Sequence, residues 1–247
     1  MKTTVNSIWF LNLAIADFIF ISFVIIYIFL YIKTSFMYVY YVMITLDLFA
    51  SVFFLIVISL DRCLCTWMVV WAQNKRTVLR ARIICMMVWV SSFSCCIPFF
   101  IENVFSSTSM VTYVVCVGFL IPFMIIASSH IAIGVRIKRL KMAKQLSSYR
   151  VIMAVVLTFF ICCFPFNVCR FYIITSASDE VLLKAKIFSD YLVFLNSCLN
   201  PIIYVFMCDE YKKKLKQSLL LVLETAFAED HLDLRKVEGR AEQDKPL

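Results

Sequence analysis

Three carboxylates, Asp17, Asp47 and Asp190, stand in stretches that are otherwise almost wholly apolar. A carboxylate in such a run is costly to bury, which makes it a candidate functional group. Ser51, Asn196, Ser197 and Asn200 punctuate other apolar runs with hydroxyl and amide oxygens. Gathered around Asp17, they would make a small oxygen-lined cavity suited to Na⁺ or a proton, because a buried anion needs a cation, a proton or water. Asp47 precedes Ser51 by one helical turn and is a candidate second carboxylate beside that cavity. Asn12 and Asn167 need no more than hydrogen bonding between or along helices. Asp61 and Arg62 are adjacent where an apolar run ends. As an ion pair they either anchor a helix end or hold an arginine that can be released to a partner. Arg170 and Lys186 lie at the other ends of their runs, where each could bind an anion or simply reach back to water.

The elements that must position these groups follow from composition. Of 247 residues, 63% are hydrophobic and 16% charged, with three Gly and five Pro, and the mean hydropathy is +0.90. A soluble domain is nearer 45–50% apolar and about 25% charged. With so little turn chemistry, a loop-rich or all-β fold is excluded. Apolar stretches of bilayer-spanning length occur over Val5–Ile32, Met37–Leu60, Ile83–Ile101, Met110–Ile137, Val151–Ile174 and Ile187–Met207. The expected fold is all-α, a transmembrane bundle of six spans over residues 1–208. The first stretch continues as a full span without a cleavage site and is not a signal peptide.

The net charge of +8 is a topology signal rather than a nucleic-acid signal. All but four of the 24 Lys and Arg (Lys33, Arg170, Lys184 and Lys186) fall on one side if both termini are cytosolic. That asymmetry orients every span. Residues 209–225 form a different element. Tyr211, Leu215, Leu219 and Leu223 recur every four residues among Lys212, Lys213, Lys214 and Lys216, which predicts an amphipathic helix on the inner membrane surface. Cys208 at its start is a palmitoylation candidate or a buried small hydrophobe. Residues 226–247 read as a disordered cytosolic tail. His130 and His231 are far apart, and no metal or nucleophile motif surrounds either, so an enzyme is not expected.

Four signatures lie in order on successive spans: Asn12-Leu13-Ala14-Ile15-Ala16-Asp17, then Asp61-Arg62-Cys63, then Trp89, then Asn200-Pro201-Ile202-Ile203-Tyr204. In this order the set resembles the rhodopsin-like (class A) G-protein-coupled receptors, with the six spans matching their second to seventh helices. Thr3 through Ala14 and Val70 through Val78 look like the chemoattractant branch, which holds formyl peptide, chemerin and prostaglandin D₂ chemoattractant receptors. Ile125 through His130 and Ser218 through Asp230 look most like the prostaglandin D₂ members. The resemblance implies a plasma-membrane receptor for prostaglandin D₂ or a related lipid or peptide, coupled to an inhibitory-class G protein, with arrestin and membrane lipids as further partners. It places Asp17, Ser51, Asn196, Ser197 and Asn200 on the family's sodium-site positions, an allosteric ion being the one cofactor implied. It makes Arg62 the arginine that meets the G protein, held at rest by Asp61. Asn200, Pro201 and Tyr204, with Pro122 and Phe159, fall on positions that rearrange on activation. A ligand pocket is implied around Tyr40, Ile44, Val114, Phe166, Arg170, Lys186, Asp190 and Phe194.

Departures from the family pattern set further expectations. The family's first helix and extracellular N-terminus have no counterpart, the first conserved external Cys reads Met37, and no disulfide is expected. The sixth-helix Cys-Trp-x-Pro reads Cys162-Cys163-Phe164-Pro165, and a ligand-binding lysine of the prostaglandin D₂ members reads Val114. One alternative is a truncated or degenerate product that does not signal and is retained in the endoplasmic reticulum. Another is a transporter or channel subunit, though the chain lacks inverted repeats and Gly/Pro-broken spans.

Overall fold

A computed structural model describes residues 5–30, 37–101, 108–140, 146–175, 180–207 and 217. These residues form helices α1 (Val5–Leu30), α2 (Met37–Trp67), the short α3 (Val69–Lys75), α4 (Val78–Ile101), α5 (Thr108–Val115), α6 (Ile121–Leu140), α7 (Leu146–Thr175) and α8 (Glu180–Met207). A π turn over Cys116–Leu120 joins α5 to α6 without a break. The chain divides into Met1–Tyr204 and Val205–Leu247. Cys208, the predicted amphipathic helix and the tail lie outside the described residues, apart from an exposed helical Gln217.

Five helical segments are long and apolar enough to cross a membrane: Val5–Phe29, Val39–Trp67, Val78–Phe99, Thr108–Leu140 and Ile152–Tyr172. The sixth predicted span falls within α8, where Asp190, Asn196, Ser197 and Asn200 dilute the apolar run. Asn196, Ser197 and Asn200 belong to the polar centre described below, and Asp190 to the cluster around Arg170. α2 is the hub of the bundle. Its Leu48, Phe49, Val52, Phe54, Leu55 and Ile58 are almost completely buried, as expected for a helix that is apolar all round. It packs against α1, α4 and α6. The outer helices instead leave large side chains uncovered, among them Phe18, Phe29, Met86, Met124 and Phe164. In water such faces would be a liability; in a bilayer they meet acyl chains.

Two local devices shape the α5–α6 rod. Gly118 lets it approach α2, since a Cβ there would sit 3.2 Å from Leu48 Cδ2 and 3.3 Å from Phe49 Cε1. Pro122 cannot donate a backbone hydrogen bond and would clash with the carbonyl four residues back, that of Gly118. The helix accommodates it by widening just before it, and the Ile121 N–H donates to Cys116 O, five residues back. Pro98, Pro165 and Pro201 also lie inside helices, in α4, α7 and α8.

Candidate functional site

The polar centre forms where α1, α2 and α8 meet. Asp17, Ser51, Ser197 and Asn200 are wholly buried, and Asn196 and Asp47 nearly so. Asn200 Nδ2 donates to Asp17 Oδ1 at 3.3 Å, tying α8 to α1. Ser197 Oγ donates to Asp47 Oδ2 at 3.1 Å, tying α8 to α2. Asp17 and Asp47 are near enough to act on one another electrostatically, and Asp17 feels Ser197 as well. Five oxygens keep no partner: Asp17 Oδ2, Asp47 Oδ1, Ser51 Oγ, Asn196 Oδ1 and Asn200 Oδ1. Buried acceptors left this way are expensive unless a cation, a proton or water joins them. The donor set is all oxygen, carries two carboxylates and contains no cationic side chain, so it fits a small hard cation. Among the described residues, two carboxylates are the only His, Cys, Asp or Glu groups bonded in this centre, and no group of three such residues suited to a metal forms; the ten described cysteines are free.

Toward the end of the bundle away from most of the basic residues lies a second cluster. Phe20, Val24, Ile44, Phe166 and Val193 pack with Tyr40, Tyr41 and Phe194. Arg170 is 7% exposed; its guanidinium lies 5.3 Å from the Phe166 ring centroid and 5.9 Å from that of Tyr41, and its Nη1 has no hydrogen-bond partner. Lys186 Nζ donates to Tyr41 Oη at 2.5 Å. Asp190 interacts electrostatically with both cations, yet its Oδ1 is buried and unbonded. Two cations over one carboxylate leave the site one positive charge in excess. Seven of the eight predicted pocket residues therefore fall in or beside one cluster. Val114 does not: it is buried in the larger core with Phe49, Phe119 and Val155.

At the basic end the sequence-based pairing is corrected. Asp61 bonds Arg76 rather than its neighbour Arg62. Arg76 Nε and Nη2 donate to the two oxygens of Asp61 at 2.9 and 2.7 Å, and Arg76 Nη2 also bonds Asn6 Oδ1. Adjacent residues on a helix point about 100° apart and do not face each other, whereas the loop after α3 brings Arg76 across the carboxylate. Burial works to lower the Arg76 pKa, but the bonds from Asp61 outweigh it and hold it above its ordinary value. Arg62 Nε is buried and unbonded. The signal available in sequence was only that Arg76 sits in a basic loop, which did not single it out.

Other predicted positions are structural in this arrangement. Trp89 Nε1 donates to Asn12 Oδ1 at 3.2 Å, joining α4 to α1, while Asn12 Nδ2 donates to Ile8 O. Asn167 Nδ2 donates to Cys163 O within α7. Pro122 and Phe159 are buried on α6 and α7, and Pro201 and Tyr204 lie within α8.

Long apolar helices around a buried polar centre, with a basic loop clamp at one end and an anion-seeking cluster at the other, define a multi-pass membrane protein of the receptor class. The chain belongs to the 7 transmembrane receptor (rhodopsin family), whose model matches residues 1–204. It is 33% identical to the C3a anaphylatoxin chemotactic receptor of Oncorhynchus mykiss, across 93% of this chain and 72% of that protein. It is 32% identical to chemerin-like receptor 1 of Homo sapiens, across 93% and 73%. Formyl peptide receptor 2 of Mus musculus is 31% identical, across 93% and 78%. These relatives place the chain among chemoattractant-type receptors and make it a receptor rather than an enzyme.

Proposed function

We propose that this chain is a chemoattractant-type receptor for a carboxylate-bearing ligand, signalling from the plasma membrane through an inhibitory-class G protein. The observation that carries the ligand class is Arg170, a buried guanidinium with an unbonded Nη1 that shares the single carboxylate of Asp190 with Lys186 in an aromatic cluster. Two cations sharing one carboxylate leave a positive charge that a further anion would offset, and a guanidinium is suited to hold a carboxylate by two parallel bonds. The ligand carboxylate would enter between Arg170 and Lys186, with Tyr40, Ile44, Phe166 and Phe194 forming apolar walls. Prostaglandin D₂ or a related lipid acid meets this description. So does the C-terminal carboxylate of a peptide, which agrees with the anaphylatoxin, chemerin and formyl-peptide names of the relatives.

Occupation of that cluster acts on α8, which carries Lys186 and Asp190 at one end and Ser197 and Asn200 in the polar centre. Asp17, Ser51, Asn196, Ser197 and Asn200, joined by Asp47, would hold a sodium ion there, supplying positive charge that favours the resting packing of α1, α2 and α8. Release of the ion frees α8 and α2 to shift, and Arg62 on α2 is the side chain offered to the G protein. Arrestin would compete for the same basic end.

The test expresses the full chain and records inhibition of cyclic AMP with prostaglandin D₂, formyl peptides and C-terminal peptides of chemerin and C3a. A response lost in both Arg170→Gln and Arg62→Ala, with surface expression preserved, supports the reading; no response to any carboxylate ligand from surface-expressed receptor rejects it. For the ion, thermal stability of the purified chain is compared in sodium and in a bulky organic cation. Sodium is expected to stabilise the wild type and not Asp17→Asn, and equal sodium dependence of the two would reject the site.

A further inference from the structure

Between α6 and α7, on the outside of the bundle, runs a cleft of about 530 Å³ that none of the sites above uses. It extends along α6 from Phe123 to Lys138, 15 residues or about 22 Å of helix. That is somewhat deeper than one leaflet of hydrocarbon, about 15 Å. Its walls are apolar, and Ile131, Val135 and Leu157 stand half or more exposed along it. Lys138 closes one end, exposed in the last turn of α6. Arg139 and Arg150 are exposed and each next in sequence to a lining residue, but neither lines the cleft itself.

We infer that this cleft binds an anionic phospholipid of the inner leaflet, its acyl chain lying between α6 and α7 and its headgroup on Lys138. The inference rests on the membrane orientation given above, which puts the mouth at the cytosolic headgroup layer. Charge complementarity selects the occupant. A sterol or a neutral lipid would fill the apolar length equally well, but neither answers the Lys138 ammonium at the mouth, and the inner leaflet is where anionic lipids lie. A second polar point lies on the wall, eight residues or about 12 Å of helix deeper. His130 is 6% exposed; its Nε2 lies 3.2 Å from Ser59 Oγ and its Nδ1 has no partner. Phe160 lines the cleft and stacks edge-on against Phe159, ring centroids 5.3 Å apart, so a chain in the cleft presses on the residue beside a predicted activation position.

Gly134 offers a direct way to close the cleft. It lines the cavity, and a Cβ there meets only Tyr149 Oη at 3.8 Å, an ordinary contact. Full-length wild type, Gly134→Leu and Lys138→Gln would be purified from vesicles of phosphatidylcholine with one-fifth phosphatidylserine, and retained lipid counted by native mass spectrometry. The wild type is expected to keep one phosphatidylserine in preference to phosphatidylcholine. Lys138→Gln should lower that preference about fivefold, and Gly134→Leu should remove the retained lipid. Unchanged retention in both variants, or displacement of the phosphatidylserine by cholesterol, overturns the inference. If Gly134→Leu does not fold, the exposed Lys138→Gln decides alone. The readout needs neither agonist nor G protein, so it stands or falls separately from the signalling proposal.

Discussion

Asp61 gives both carboxylate oxygens to Arg76 and leaves Arg62, its neighbour in sequence, with an unbonded Nε. The clamp reaches from the loop after α3 to α2 and, through Asn6, to the start of α1. In this arrangement both Asp61 oxygens are taken by Arg76, and Arg62 feels Asp61 only electrostatically.

Removing the clamp should leave Asp61 without its partner and release the loop after α3 from α2 and α1. Arg76→Ala is expected to weaken G-protein coupling by about fivefold, the effect of losing roughly 1 kcal/mol from a partly buried ion pair. Arg76→Lys should recover only part of this, because a lysine cannot reproduce the two-pronged geometry. Agonist-stimulated nucleotide exchange on a purified G protein measures it. Coupling that rises in Arg76→Ala would show that Asp61 restrains Arg62 by some other route.

Trp89 and Asn12 make a bond between α4 and α1 with little else polar nearby. Interhelical hydrogen bonds in membranes average about 0.6 kcal/mol and seldom exceed 1.7. Asn12→Leu and Trp89→Phe should each lower the thermal midpoint modestly in detergent, and the double variant should fall short of their sum. Strict additivity would mean that the bond contributes nothing beyond packing.

Gly118 faces α2 with little room to spare, since a Cβ there would sit 3.2 Å from Leu48 Cδ2. Gly118→Val would force Leu48 and Phe49 aside, and both are buried in the core. Overpacking of this kind costs about 1–3 kcal/mol. Surface expression and thermal midpoint should drop clearly in Gly118→Val and much less in Gly118→Ala. A neutral Gly118→Val would show that the rod can draw back from α2.

If Arg170 holds the ligand carboxylate, the loss in Arg170→Gln must depend on that carboxylate. The methyl ester of an active lipid acid, or the amide of an active peptide, should bind wild type and variant with similar weak affinity. The free acid should discriminate between them by tenfold or more, as expected for a charge-assisted bond of about 1.5–3 kcal/mol. Equal discrimination by ester and acid would place the carboxylate elsewhere.

Much of the bundle could be read from sequence because a membrane makes a simple demand: about 20 apolar residues per span with backbone bonds closed inside each helix. The polar centre was legible for a related reason. Few residues in those runs carry oxygen, so Asp17, Asp47, Ser197 and Asn200 identified one another before their contacts were known. What escaped was anything decided by side-chain direction. Asp61 was paired with Arg62 by adjacency, although adjacent helical positions diverge. Val114 is assigned to the pocket by the resemblance, as the position of a ligand-binding lysine, yet it packs into the larger core. The cleft between α6 and α7 is an absence of packing between two helices that each look ordinary in sequence, with Gly134 as its one trace.

The π turn at Cys116–Leu120 has a consequence for how the α5–α6 rod can evolve. One extra residue in the turn resets helical phase by about 100°, so Val111 and Val114 before it are aimed independently of Ile126, His130 and Lys138 after it. The end nearer the ligand cluster and the end holding the lipid cleft thus share a single continuous helix but not a single facing. Loss of one residue from the turn would swing one end around the axis while the other stayed in place, and would set the Pro122 ring against the carbonyl four residues back. Insertion and deletion there form a rotary adjustment, able to present a new set of side chains to a ligand without disturbing the end that meets the cytosol.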